Sequence, residues 1–236
     1  EIDLLIACNI SRYDGPNFSV SYEPSTASKL KQQIGASSAV AFDVCNACAG
    51  FFTALAVAES RLMAGEARRA MIVSGEYITH LTKTAQLEID GFLDPRLACL
   101  TLGDAGVAAI LELRDDGTGF ESIDLYTAGR HHDLCVATAT DRPHGGAIML
   151  TDPIKASAIT LNHSVPHAHR VVDAHPWTAD DVQHVIMHQT SSTTIDGAIE
   201  ELNRHFCQEV CTHANTVNNL RNRGNTASTT HWVAVM

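Results

Sequence analysis

Between Cys48 and Ala64 the chain is apolar on nearly every side of a helix. Phe51, Phe52, Leu55, Val57, Leu62 and Met63 spread around the helical wheel instead of lining one stripe. Gly65 follows, the residue best suited to the left-handed position that ends a helix. A helix without a polar face is unstable on a surface, so the pattern predicts a central helix sandwiched between layers. Covering such a helix takes a large core. The chain has 236 residues, 45% hydrophobic and 18% charged, against a usual charged share of about 25%. Disorder, a coiled coil and a disulfide-stapled miniprotein are excluded, and one large or two small domains are expected.

The elements around that helix alternate. Asp3 to Cys8, Ala39 to Val44, Arg69 to Ser74, Val107 to Leu113 and His184 to Met187 read as short buried strands. Ser25 to Gln33, Asp152 to about Leu161 and Ser192 to Phe206 read as further helices. Alternation of this kind predicts an α/β protein with largely parallel sheets covered by helices. Residues 115–150 are richer in Gly, His, Thr and Asp and read as a connection between two halves, 1–114 and 151–236. The turn Asn46-Ala47-Cys48-Ala49-Gly50 is echoed by Gly224-Asn225-Thr226-Ala227-Ser228, as two similar halves would have it.

Charge narrows the partners. Lys plus Arg is 16 against 27 Asp plus Glu, a net charge of -11 with His neutral, which argues against wrapping nucleic acid or lying on an anionic membrane. No uncharged apolar run approaches the roughly 18 residues of a membrane span, and the first residues do not read as a signal peptide. A soluble, cytoplasmic protein is expected. The seven cysteines lack zinc-ribbon spacing, so neither a disulfide framework nor a structural zinc is expected. His163, His167, His169 and His175 lie near Pro166 and Pro176 and read as exposed loop histidines, not metal ligands.

Chemistry concentrates at Phe42-Asp43-Val44-Cys45-Asn46-Ala47-Cys48-Ala49-Gly50-Phe51. A strand and a small-residue turn lead into the buried helix, with Cys48 in its first turn. A helix N-terminus presents unpaired N–H groups and partial positive charge, which lower a thiol's pKa. Cys45 reads as a buried structural cysteine. His188 follows an apolar strand, a frequent place for active-site residues in α/β proteins, and Asn225 lies at another turn before a helix. A cysteine with a histidine and an asparagine elsewhere in the chain suits thioester chemistry.

These three segments, in this order and together with Leu102-Gly103-Asp104-Ala105-Gly106-Val107-Ala108-Ala109, resemble the ketosynthase III branch of the thiolase superfamily. The resemblance runs from Glu1 to Met236. It implies a layered αβαβα fold of two similar halves and a homodimer. It also implies a triad of Cys48 as acyl acceptor with His188 and Asn225. Acyl groups would arrive as coenzyme A or acyl carrier protein thioesters, with no resident cofactor and no metal. Relative to that family, upstream elements and a closing Gly-rich pair of strands are lacking, so the sequence reads as the middle of a longer protein.

A second resemblance narrows the reaction. Ser21-Tyr22-Glu23-Pro24-Ser25-Thr26-Ala27 is similar to a segment of those relatives that join two acyl chains head to head or form α-pyrones. There a glutamate reaches into the partner's site as a base, and Glu23 matches it. Read from the residues alone, Glu23 leads into a helix with Pro24 in its first turn. A donor that loses carbon dioxide makes its own carbanion, whereas an ordinary or β-ketoacyl donor needs a base. The expected reaction is a Claisen condensation of two acyl thioesters in polyketide, pyrone or fatty-acid-derived synthesis. Its alternatives are decarboxylative initiation with malonyl-carrier protein, acyl transfer to an alcohol or amine, and a non-catalytic partner subunit.

Overall fold

The apolar run near the start forms β1 (Leu4–Ala7), whose residues are all buried. A computed structural model describes residues 1–14 and 19–236, in two units that interleave along the sequence. One comprises Glu1–Tyr77, Ala105–Leu125 and Ala227–Val233; the other comprises Ile78–Asp104, Tyr126–Thr226 and Ala234–Met236.

In the first unit, β1 is followed by the short pair β2 (Tyr13–Asp14) and β3 (Ser19–Val20) and by α1 (Thr26–Gln33). Then come β4 (Val40–Asp43), α2 (Gly50–Met63), β5 (Arg69–Glu76) and β6 (Ala105–Glu112). The sheet order is β4-β1-β5-β6. Alternation along β1 explains why its run is apolar throughout. Leu5 and Ala7 pack with Ala27 and Val73 on the α1 side. Leu4, Ile6 and Cys8 meet Phe51, Ala54, Leu55, Ala58 and Leu62 of α2.

Helix α2 is thus buried against the sheet along its first part, while Glu59, Ser60, Arg61 and Met63 are exposed. Its end is a Schellman motif, with Gly65 at φ +71° and the Glu66 N–H donating to the Arg61 carbonyl at 3.0 Å, as Gly65 foretold. The sheet corrects the parallel expectation at one edge. β4, β1 and β5 are parallel, while β6 runs antiparallel to β5, with Glu76 opposite Ala105. The excursion 78–104 returns the chain at the end of the sheet where β5 finishes.

The second unit holds α3 (Thr79–Glu88), the antiparallel hairpin β7 (Cys135–Ala139) and β8 (Ala147–Thr151), α4 (Pro153–Asp173), α5 (Ser192–Phe206) and the short α6 (Leu220–Arg223). The hairpin lies where a plain connection was expected; β7 is exposed throughout and so lacks the burial pattern that marks a strand in sequence.

Helix α4 runs far past Leu161 and through Pro166. Its packing against Ile195 and Ile199 of α5 by way of Leu161 and Val165 outweighs the missing N–H of one proline. His163, His167 and His169 are therefore helical and half-buried, not exposed loop residues. His163 and His167 are an i, i+4 pair, yet among the described residues no group of three or more His, Cys, Asp or Glu is placed to hold a metal ion. No described helix is long and apolar enough to cross a membrane.

His184 to Met187 is not a strand; only Val185 makes an isolated parallel bridge, to Thr216. The chain ahead of Thr216 spends backbone groups on side chains. Asn203 Oδ1 accepts the Val210 and Cys211 N–H groups, each at 2.9 Å, and Asn215 Nδ2 donates to the Val210 carbonyl at 2.9 Å.

Candidate active site

The site residues named from sequence fall in both units: Glu23 and Cys48 in the first, His188 and Asn225 in the second. Cys48 owes its place to the end of β4. After Asp43 the chain reaches Ala47, whose φ of +42° is left-handed, a conformation costing a non-glycine residue roughly 1–3 kcal/mol. A 3₁₀ turn, Ala47–Ala49, then runs into α2 at Gly50. A side chain at Gly50 would sit 2.8 Å from the Cys8 carbonyl oxygen, so only glycine lets the helix start this close to β1. Asn46 Nδ2 donates to Thr53 Oγ1 at 2.8 Å across the turn. Half-buried Cys48 thus occupies the N-terminal turn, where N–H groups and the helix dipole favour a thiolate.

The other cysteines divide by burial. Cys8 is pushed up to about 12 by burial and by the nearby Glu76 charge, and burial also raises Cys99 and Cys211. Those three are thiols at neutral pH. Cys45 is exposed, which corrects its reading as a buried structural cysteine: it lies beyond the last residue of β4, outside the cover of either helix.

Glu23 is exposed, two residues before Ser25, the N-cap of α1. Pro24 therefore precedes the helix and is not in its first turn. The Asp43 carboxylate accepts the Thr26 and Ala27 N–H groups at 3.0 and 2.8 Å and pairs with Arg12 Nη1 at 2.5 Å. One acidic side chain, missed from sequence, fastens the segment carrying Glu23 to the strand that leads to Cys48. A polar residue ending an apolar strand was its only signal. The segment Ser11 to Ser21, which resembles the interface loop of the ketosynthase III branch, runs through residues 15–18, which lie outside the described residues.

In the second unit two close approaches shape the surroundings of Asn225. A Cβ on Gly103 would fall 1.9 Å from the Arg223 carbonyl oxygen, and one on Gly224, at φ +67°, would fall 2.7 Å from that of Thr101. The Asn225 N–H donates to the Thr101 carbonyl at 2.8 Å, and its own carbonyl accepts the Gly103 N–H at 2.9 Å. Leu102-Gly103-Asp104 is thus a structural turn. Asp104 caps α3, accepting the Ile78 and Thr79 N–H groups at 2.7 and 2.9 Å. His188, half-buried, precedes Gln189, which is fully buried.

The echo of the Cys48 turn is also structural. Ala227 is left-handed at φ +52°, and a 3₁₀ turn, Ala227–Thr229, opens the helix Thr230–Val235. Within the first unit, buried Ser228 donates to Glu76 Oε1 at 2.5 Å and lies 2.6 Å from Ser74 Oγ. Glu76, itself buried, also accepts the Ile10 and Ser11 N–H groups at 3.0 and 3.1 Å. Nothing in the sequence marked this glutamate as buried.

Comparison with known proteins gives consistent matches. The family model described as 3-oxoacyl-[acyl-carrier-protein (ACP)] synthase III matches residues 42–129. Beta-ketoacyl-[acyl-carrier-protein] synthase III of Rhodospirillum centenum is 28% identical over 204 residues, covering 82% of this chain and 59% of that protein. The Rhodospirillum rubrum protein of the same name is 29% identical over 206 residues, with 82% and 60% covered. The chain therefore spans about three fifths of the length of these curated relatives.

Among solved structures, 3-oxoacyl-(acyl carrier protein) synthase III (FabH) from Xanthomonas oryzae pv. oryzae superposes with a TM-score of 0.77 at 21% identity, covering 99% of this chain and 66% of that one. OleA from Xanthomonas campestris, with bound lauric acid and lauroyl-CoA, superposes with a TM-score of 0.74 at 24% identity, with 99% and 66% covered. The fold is that of these proteins.

Proposed function

We propose that this chain, a ketosynthase III-like protein of thiolase fold, is an acyl-condensing enzyme that carries its acyl group on Cys48. The observation that carries this reading is the left-handed Ala47, which delivers Cys48 to the first turn ahead of a buried helix. The matched family region, 42–129, includes that turn.

The chemistry follows from the residue types. The Cys48 thiolate attacks the carbonyl of an acyl thioester, the carrier thiolate leaves, and the acyl group stays as a new thioester. A second acyl donor becomes a carbanion at the carbon next to its carbonyl. That carbon attacks the acyl-cysteine, and the Cys48 thiolate is expelled as the β-keto product forms. Donors aimed at the developing enolate oxygen usually supply the largest share of catalysis. His188 and Asn225 are assigned that role.

The preferred donor is a second, non-carboxylated acyl chain, deprotonated by Glu23 of a second copy of the chain. Exposure of Glu23 and the Asp43 anchor just behind it support a carboxylate offered outward on a firm base. Pyrone or other polyketide products follow if the β-keto chain cyclises. A second reading is decarboxylative condensation with a malonyl carrier; it draws on the acyl carrier protein in the names of the curated relatives. Intact-mass analysis of the full-length protein after incubation with decanoyl-CoA, then with decanoyl-CoA or malonyl-CoA as second donor, separates them. Acylation of Cys48 is expected in both cases, and product without a carboxylated donor only in the first. No acylation with any thioester would overturn the proposal.

A further inference from the structure

The side chain of Gln189 is fully buried, and the mechanism just given does not use it. Its Nε2 donates to the Met187 carbonyl and to the Val217 carbonyl, each at 3.0 Å. Its Oε1 accepts the Asn219 N–H at 3.1 Å. A carboxamide has two donor hydrogens and an acceptor oxygen, and here both hydrogens and the oxygen are engaged. All three bonds go to main-chain groups, two of them across to another segment of the second unit.

Those segments matter because of what they carry. Residue 189 follows His188 directly. Residues 217–219 lead through α6 (Leu220–Arg223) and Gly224 into Asn225. At its far end this stretch is held by the bonds of Asn225 to Thr101 and Gly103. The neighbouring contact between the two segments is a single bridge, Val185 to Thr216, with no ladder to hold the register. One buried side chain thus does the work that strand pairing would otherwise do.

We infer that Gln189 is a positioning residue, a cross-link that sets the segment bearing His188 against the segment leading to Asn225. The inference rests on the reading of His188 and Asn225 as enolate-stabilising donors. A buried amide is suited to this task. Leaving a part-buried main-chain carbonyl without its donor is unfavourable, so the two segments are held at one separation. Hydrogen-bond donors to a developing charge lose their value quickly when displaced, with about 100-fold lost for an error of about 1 Å.

The test is a double-mutant cycle in the full-length protein with decanoyl-CoA as acyl donor and decanoyl-CoA or malonyl-CoA as second donor. Gln189→Glu keeps the shape and the acceptor for Asn219 but loses both donors; Gln189→Met loses all three bonds. Either is expected to load Cys48 within about twofold of wild type while condensation falls at least about tenfold. In an Asn225→Ala background the same change should cost almost nothing more, because the group it positions is gone. Equal losses in both backgrounds would make Gln189 merely structural and overturn the inference.

Amide exchange gives a readout independent of turnover. Peptides containing 187–189 and 217–219 should lose protection together in Gln189→Met, which removes the acceptor of the Asn219 N–H, and no change there would also overturn the inference. If neither variant folds, Gln189 is a folding residue and positioning is refuted. If Asn225→Ala itself leaves condensation intact, the underlying assignment of Asn225 fails instead, and exchange alone decides whether the cross-link exists.

Discussion

Single residues decide whether the proposed chemistry runs. Cys48→Ala removes one half-buried sulfur from a turn whose shape is set by Ala47, Asn46 and Gly50. The fold should stay intact, and acyl-enzyme should vanish from the intact-mass spectrum. Peptide mapping that placed the acyl group on Cys45 or Cys99 would refute the assignment. Asn225→Ala should still accumulate acyl-enzyme while product formation drops by about 100- to 1000-fold, the usual loss for one oxyanion-type donor. Equal loss of loading and product would instead place Asn225 in the first step. These positions stand out as candidates in the sequence because the proposed chemistry constrains residue type: a cysteine at a helix start, a histidine after an apolar run, an asparagine in a small-residue turn. Gln189, Glu76 and Asp43 were not. Each is a common polar residue whose meaning comes only from the distant backbone groups it reaches.

Among elements, α2 covers one face of the first unit's sheet. Phe51 is fully buried, contacts the sheet residues of β1 and β5, and has its ring centroid 4.5 Å from that of Trp232. Phe51→Ala should cost roughly 3–5 kcal/mol of unfolding free energy, measured by denaturant titration. Met63→Ala, at the exposed end of the same helix, should cost little, and similar losses at both sites would contradict the burial gradient along α2. The start of the short helix Thr230–Val235 carries its own signature. Burial depresses the His231 pKa to about 4, so His231 is neutral when folded at pH 5 to 6, whereas in the unfolded chain it titrates near 6.5. The unfolded state then binds more protons, and stability must fall as pH drops from about 6.5 to about 4, by roughly 3 kcal/mol. Below that window this contribution changes no further. His231→Phe should flatten the slope between those limits, and an unchanged slope would show that the imidazole is not the group responsible.

At the level of the whole molecule, the proposal requires two copies. Glu23 is exposed on a single chain, so its role as a base depends on what a second chain places against it. Light scattering of the full-length protein at micromolar concentration should report two chains. Mixed dimers sharpen the test. A chain carrying only Cys48→Ala, paired with one carrying only Glu23→Gln, should keep one working site for a non-carboxylated donor. It would be built from Cys48 of one chain and Glu23 of the other. Dead mixed dimers, with each variant half active beside wild type, would place Glu23 within its own chain or outside the reaction. With a malonyl donor Glu23→Gln should have little effect, because loss of carbon dioxide supplies the carbanion.

The sequence alone determined the layers. An all-round apolar helix, short buried strands and helix ends marked by Ser25 and Gly65 are local patterns, and local periodicity and capping chemistry decide them wherever the chain goes. It also offered Cys48, His188 and Asn225 as candidates, because thioester chemistry demands particular residue types, and Glu23 by resemblance alone. Tertiary structure alone decided what local pattern leaves open. Packing on α5 carried α4 through Pro166. A return at the end of β5 made β6 antiparallel. Opposite His184 to Met187 only one bridge formed, Val185 to Thr216, where the apolar run predicted a strand. In each case the deciding partner lies far along the chain, and no window of neighbouring residues contains it.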